Sequence, residues 1–150
     1  MTRVRKPIPD NDHVVRYVPI SRQARDLNGN LMGNGVLYTA LQQRKDESYV
    51  SVNWLEFHQG TRTDRLALIR QELSEAFPPK SLGKALLAIG HVGQIKRACS
   101  DAGRPVRVTH EPTRTSPSHA GIRQFPTEED GLLEALAAEV FIDTMLASDV

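Results

Sequence analysis

A chain of 150 residues, 39% hydrophobic and 25% charged, is long enough for one domain with a buried core. Its composition excludes a disordered chain, a collagen-like chain and a coiled coil, and no apolar run approaches the ~18 residues of a membrane span. The formal charge is only +1, but residues 1–125 carry 19 bases and 11 acids, whereas residues 126–150 carry seven acids and no base. A basic body with an acidic C-terminal helix is therefore expected. Either the helix lies against the body, or the two form separate faces, one for an anionic partner and one for a basic partner. The single cysteine, Cys99, excludes an internal disulfide and fits a reducing, cytoplasmic compartment. The N-terminus has charge without an apolar stretch behind it, so it does not read as a secretory signal.

In chain order, residues 1–12 are polar, with Pro7 and Pro9, and read as a flexible leader before a single domain over 13–150. His13 to Val18 is rich in β-branched residues and stops at Pro19, which predicts a strand. Residues 21–35, with Asn28-Gly29-Asn30 and Gly33-Asn34-Gly35, read as a long polar loop, and Val36 to Gln43 as a short helix. Tyr49 to Trp54 alternates, so Val50, Val52 and Trp54 should face the core, with Ser51 and Asn53 on the other face. Arg62 to Phe77 has helical apolar spacing at Leu66, Ile69, Leu73 and Phe77, a cap at Thr61 or Thr63, and a stop at Pro78-Pro79. Ala85 to Ile89 fits either a strand or a helix. Val92 to Ala102 reads as a helix ending before Gly103. Pro105 to His110 and His119 to Phe125 read as two strands around a proline-bearing loop. Thr127 should cap a last helix with the apolar stripe Leu133, Leu136, Val140, Phe141 and Met145. The class is α+β: a small mixed or antiparallel sheet packed by about three helices.

The densest chemical signal is Thr109-His110-Glu111-Pro112 followed by Pro117-Ser118-His119-Ala120. If the flanking strands close as a hairpin, His110 and His119 face each other across its mouth, with Cβ atoms roughly 4.5–5.5 Å apart. Two imidazoles at that distance are a candidate acid–base pair, with Glu111 as a third base or ligand. The alternative is that both rings hydrogen-bond backbone and fix the shape of the loop. Two histidines do not make a zinc site, which needs three or four ligands. His13 and Glu56 could complete one with His110 and His119, which makes a divalent metal a candidate cofactor; Glu56 and His58 share a face if the strand runs past Trp54. No G-x-S-x-G, phosphate-binding loop or dinucleotide fingerprint occurs, and Cys99 lies on an apolar helical face.

Ile89-Gly90-His91-Val92-Gly93-Gln94-Ile95-Lys96 resembles the I-G-x-x-G-x-x-I-K signature of KH domains. That resemblance implies a nucleic-acid backbone clamped by a loop between two helices, with Gly90, Gly93, Lys96 and Arg97 at the binding surface. This chain departs from the signature: one residue, not two, separates Gly93 from Ile95, and His91 and Val92 stand where a base is usual. Separately, Ser51-Val52-Asn53-Trp54 and the later pair of histidine motifs resemble a group of small bacterial proteins to which no activity attaches. That second resemblance implies one compact domain over residues 13–147, a strand at Ala85 to Ile89, and attention to Ser51 and Asn53.

Three functions follow as expectations. The first is a non-catalytic binding or accessory component of a bacterial multi-protein assembly, with a protein partner and no membrane. The second is a small hydrolase or transferase on a phosphate-bearing substrate, built on His110 and His119. The third is a KH-like nucleic-acid-binding module.

Overall fold

The computed structural model describes residues 5–150. Its strands in chain order are His13–Val18 (β1), Gln23–Arg25 (β2), Leu31–Val36 (β3), Val50–Trp54 (β4), Leu86–His91 (β5), Arg107–His110 (β6), His119–Arg123 (β7) and Asp143–Leu146 (β8). The helices are Arg62–Leu73 (α1), Pro79–Leu82 (α2), Val92–Asp101 (α3) and Asp130–Glu139 (α4). Six strands form one sheet in the order β6-β7-β4-β1-β5-β8, every neighbouring pair antiparallel, and β2 and β3 form a separate hairpin. This is the expected α+β class in a single compact unit.

Side chains alternate across each strand, so the sheet has two faces with different coverings. One face carries Val14, Val52, Ala88, Val108 and Ile122. It packs against Val92, Ile95 and Cys99 of α3, Leu133 and Leu136 of α4, and Phe141. On the second face, β1 and β5 present Val15, Tyr17, Leu87 and Ile89 to Leu66, Ile69 and Leu73 of α1 and Leu82 of α2. Further along this face, the pairs Asn53↔His119, Ser51↔Gly121 and Thr109↔Gly121 line up polar or side-chain-free positions on β4, β7 and β6. None of these belongs to the apolar cluster under α1 and α2.

Local chemistry explains the helix starts. Thr61 caps α1 with a reciprocal box: its hydroxyl accepts from the Asp64 N–H (3.2 Å), and the Asp64 carboxylate accepts from the Thr61 N–H (3.0 Å). The His91 Nδ1 accepts from the Gln94 N–H (3.2 Å) and caps α3. Pro79 occupies the first turn of α2, where its missing N–H costs nothing.

Several expectations are corrected by contacts distant in sequence. The leader is not free over its described part: Ile8 is buried, its N–H donates to Val108 O (2.9 Å), and His110 N–H donates to Lys6 O (2.8 Å). The segment thus lines the outer edge of β6; residues 1–4 lie outside the described residues. The supposed loop 21–35 contains the β2–β3 hairpin, turned by Asp26, whose carboxylate accepts from the N–H groups of Asn28 and Asn30 (both 2.9 Å). Val36 to Gln43 holds only a short 3₁₀ turn, Tyr38–Leu41. Thr127 does not cap α4, because its hydroxyl is spent accepting from the Gln43 N–H (2.7 Å). Met145 lies on strand β8 and not on the last helix. The acidic C-terminal stretch is tied to the body by Arg104–Glu128 (2.6 Å), Arg104–Glu129 and Arg62–Asp143 (2.6 Å).

Leu86–His91 is a strand, so the helix–G-x-x-G–helix unit of a KH domain is not formed. Gly90 has a packing reason instead: a Cβ there would meet the Phe141 ring at 2.7 Å.

Candidate functional site

The register of β6 with β7 decides the fate of the histidine pair. His110 lies opposite Ala120, and His119 lies opposite Asn53. The rings therefore leave opposite faces of the sheet, and no His110–His119 acid–base pair is assembled. The His110 Nε2 donates to Pro117 O (2.7 Å), and the ring packs against Trp54 (5.2 Å) and Phe57 (5.1 Å). His119 Nδ1 donates to Glu111 O (2.9 Å). Both rings thus fix the loop between them.

Glu111 is neither their base nor a free ligand. Burial alone would raise its carboxyl, but hydrogen bonds from Arg123 (2.8 Å), Thr109 (2.6 Å) and Arg5 (3.1 Å) outweigh that and hold it at about 2. It is a structural anion at the β6–β7 edge. The four-residue metal set is only half assembled. His13 Nδ1 and backbone N–H both meet the Glu56 carboxylate at 2.7 Å, but no group of three His, Cys, Asp or Glu that could hold a metal occurs among the described residues. Cys99 is inert as expected, since burial pushes its thiol up to about 11.

The sequence-derived binding residues separate. Gly90, Gly93, Lys96 and Arg97 lie at β5–α3, and Lys96 pairs with Asp10 (2.7 Å). Ser51 and Asn53 lie on the open half of the other face, beside His119. There they form the floor of a cavity of about 250 Å³, walled on one side by Leu73, Ala76 and Phe77 at the end of α1 and on the other by Ser116 of the proline-bearing loop.

A buried polar latch holds that loop to α1. Ser118, fully buried, donates its hydroxyl (2.5 Å) and its N–H (2.9 Å) to the Glu72 carboxylate. His58 Nε2 bonds the same carboxylate at 3.1 Å. A serine, a carboxylate and a histidine meet here, but the carboxylate sits between the other two and the hydroxyl is sealed from solvent. The arrangement therefore clamps and does not make a nucleophile.

Outside the cavity the surface becomes basic. Two further hollows of about 400 and 390 Å³ adjoin it, and all three share Tyr17 and Arg44. One branch carries Arg22 and Lys45, the other Lys80 and Lys84. Among the described residues no Asp or Glu lines either branch. Arg44, at the hub, lies 5.8 Å from the Phe77 ring and 3.6 Å from Glu47. Phe77 itself stacks on Tyr17 at 3.9 Å. Beneath the hub, Arg16 is pinned by the carbonyls of Ala40 (2.8 Å), Ser51 (2.6 Å) and Gln42 (3.4 Å). Burial, helped by Arg44, lowers its guanidinium to about 10, so it stays charged at neutral pH. Sequence reading missed this groove because its cations come from four separated segments, none of them a charge run.

No helix among the described residues is long and apolar enough to cross a membrane. The chain matches no known protein family, no curated protein and no solved structure.

Proposed function

We propose that this protein is a binding component whose ligand is a phosphate-bearing chain, a single-stranded nucleic acid, held along the branched groove centred on Arg44. The observation that carries this reading is the acid-free lining of both branches, one with Arg16, Arg22 and Lys45 and the other with Lys80 and Lys84 besides the shared Arg44. Fixed positive charge in a concave surface attracts a polyanion and releases its counterions. Two branches meeting at a hub suit an extended ligand better than a lone phosphate ion. The Tyr17–Phe77 stack supplies the flat apolar surface that single-strand sites use beside their cations. Arginine outnumbers lysine 14 to 5 in the chain, and Arg16, Arg22 and Arg44 all lie on the groove.

The test is fluorescence anisotropy with a labelled (dT)12 strand across a salt series. Binding should weaken with a log–log slope of about −3, as for roughly four phosphates neutralised on a single strand. The double variant Lys80→Glu/Lys84→Glu should bind at least tenfold more weakly. Arg97→Glu, which reverses a charge on α3 behind the opposite face, should bind as the parent does. Binding indifferent to salt, or an equal loss in Arg97→Glu, overturns the groove.

A second reading, the subunit of a larger protein assembly, is favoured by one separate observation. Leu27 and Met32 of the β2–β3 hairpin and Ile142 beside it are exposed apolar side chains, and Asn34 ties hairpin and Phe141 together through a 3.1 Å bond.

A further inference from the structure

The inner cavity contains two hydrogen-bond acceptors that the fold leaves unspent. The first is on Asn53, only 4% exposed. Its amide bonds the hydroxyls of Ser118 (3.0 Å) and Ser116 (3.1 Å). Ser118 has already given its proton to Glu72 and can only accept. The group turned toward the serines is therefore the amide NH₂, which leaves the Asn53 carbonyl oxygen with no donor among the described residues.

The second acceptor is on His119. Its Nδ1 faces a backbone carbonyl, which can only accept, so Nδ1 carries the proton. In the neutral ring Nε2 then keeps a free lone pair. The pairing Asn53↔His119 places the two side chains next to each other on the same face, with Cβ atoms roughly 4.5–5.5 Å apart. Beside them, the Ser116 hydroxyl accepts from Asn53, and its own proton remains available.

A complementary ligand must be flat enough for the apolar wall of Leu73, Ala76 and Phe77 and must offer two neighbouring N–H donors. It should also carry an acceptor beside them. A volume of about 250 Å³ lies just under the range of whole small-molecule sites, so one heterocycle with part of its sugar fills it. Among the nucleobases only guanine has this edge, with N1–H and the 2-amino group side by side and O6 adjacent. Adenine and cytosine pair one amino donor with an acceptor, and uracil places one donor between two acceptors.

We propose that the cavity is a base subsite that selects guanine. The Asn53 carbonyl oxygen and His119 Nε2 accept from N1–H and the 2-amino group, Ser116 donates to O6, and the attached phosphate reaches Arg44 at the mouth. The inference rests on the groove reading for its phosphate contact at Arg44, whereas the base contacts are made by the cavity itself. A polar site rejects an analogue lacking a donor because its own groups are left unpaired.

Calorimetric titration with GMP, IMP, AMP and ribose 5-phosphate tests it on the intact protein. GMP should bind at least tenfold tighter than IMP, which lacks the 2-amino group, and AMP no tighter than ribose 5-phosphate. Ala76→Trp enlarges an exposed wall residue without touching the core, so it should abolish the GMP preference and leave salt-dependent (dT)12 binding in place. Equal affinity for GMP and AMP overturns the subsite, and so does a GMP preference that survives Ala76→Trp. A protein that binds (dT)12 with the expected salt slope but ignores guanine keeps the groove and loses the subsite. A guanine preference without (dT)12 binding does the reverse.

Discussion

The two halves of one sheet face are built from the same antiparallel ladder and end in opposite chemistry. Under α1 and α2, strands β1 and β5 present Val15, Tyr17, Leu87 and Ile89 to a dry apolar layer. On β4, β7 and β6 the same face presents Ser51, Asn53, His119 and Thr109. The backbone bonds are equivalent, so the difference lies in what covers each half. α1 ends at Leu73, before reaching the outer strands, and its last turn becomes the wall of a cavity and not the lid of a core. Polar side chains that would cost several kcal/mol unpaired in a dry layer can remain there with free acceptors, because solvent or a ligand reaches them. In this protein the candidate site is the part of the sheet the helices leave uncovered.

That contrast can be broken experimentally, and the largest effect should come from the covered half. Leu87→Ala, at a fully buried position, should cost about 2–5 kcal/mol by urea unfolding, whereas Ser51→Ala on the open half should cost under about 1 kcal/mol. Similar losses at both sites would mean the halves do not differ energetically.

Acid should expose the electrostatic character of the open half next. Glu111 has a folded pKa of about 2 against an ordinary 4.5, a depressed value, so its contribution is present above 4.5 and lost as pH falls toward 2. At neutral pH it amounts to at most about 3 kcal/mol. A fall in stability between pH 4.5 and 2 that is smaller in Glu111→Gln than in the parent is the expected result; parallel curves would remove Glu111 from the account.

The smallest effect falls on the border between the halves. Glu72→Leu strips the Ser118 N–H, the Ser118 hydroxyl and His58 of a shared acceptor. The cost should be about 1–3 kcal/mol. Amide exchange should rise in the proline-bearing loop, residues 111–118, while β1 and β5 stay protected. Faster exchange in β1 and β5 would show that the latch supports the core as well as the cavity wall.

Much of the fold was legible from residues close together in the chain. Alternation in Tyr49 to Trp54 places Val50, Val52 and Trp54 in the core and Ser51 and Asn53 on the opposite face, as observed. Apolar spacing locates α1 and α3, and of the two threonines that could cap α1, Thr61 does so. The second resemblance favoured a strand at Ala85 to Ile89, which β5 bears out over Leu86–His91. The misreadings share a cause. Thr127 was a good local cap and serves Gln43 instead; Ile8 sat in a polar leader and packs in the core. Partners distant in sequence overrode local preference in both cases.

The site was legible only in its parts. Histidine motifs, Ser51 and Asn53 stood out, and two of the residues singled out, Asn53 and His119, do meet. His110 does not join them, because its strand pairs one residue out of the symmetric register, and a one-residue slip sends a side chain to the other face. Sequence by itself determined the class, most strand and helix positions, the apolar setting of the cysteine and the shortness of every apolar run, since these follow from composition and short-range periodicity. Only the tertiary structure decided which half of the sheet stays open, which histidine faces it, and that Arg22, Arg44, Lys45, Lys80 and Lys84 share one groove. Those outcomes depend on register and on packing between distant segments, and neither leaves a periodic trace in the chain.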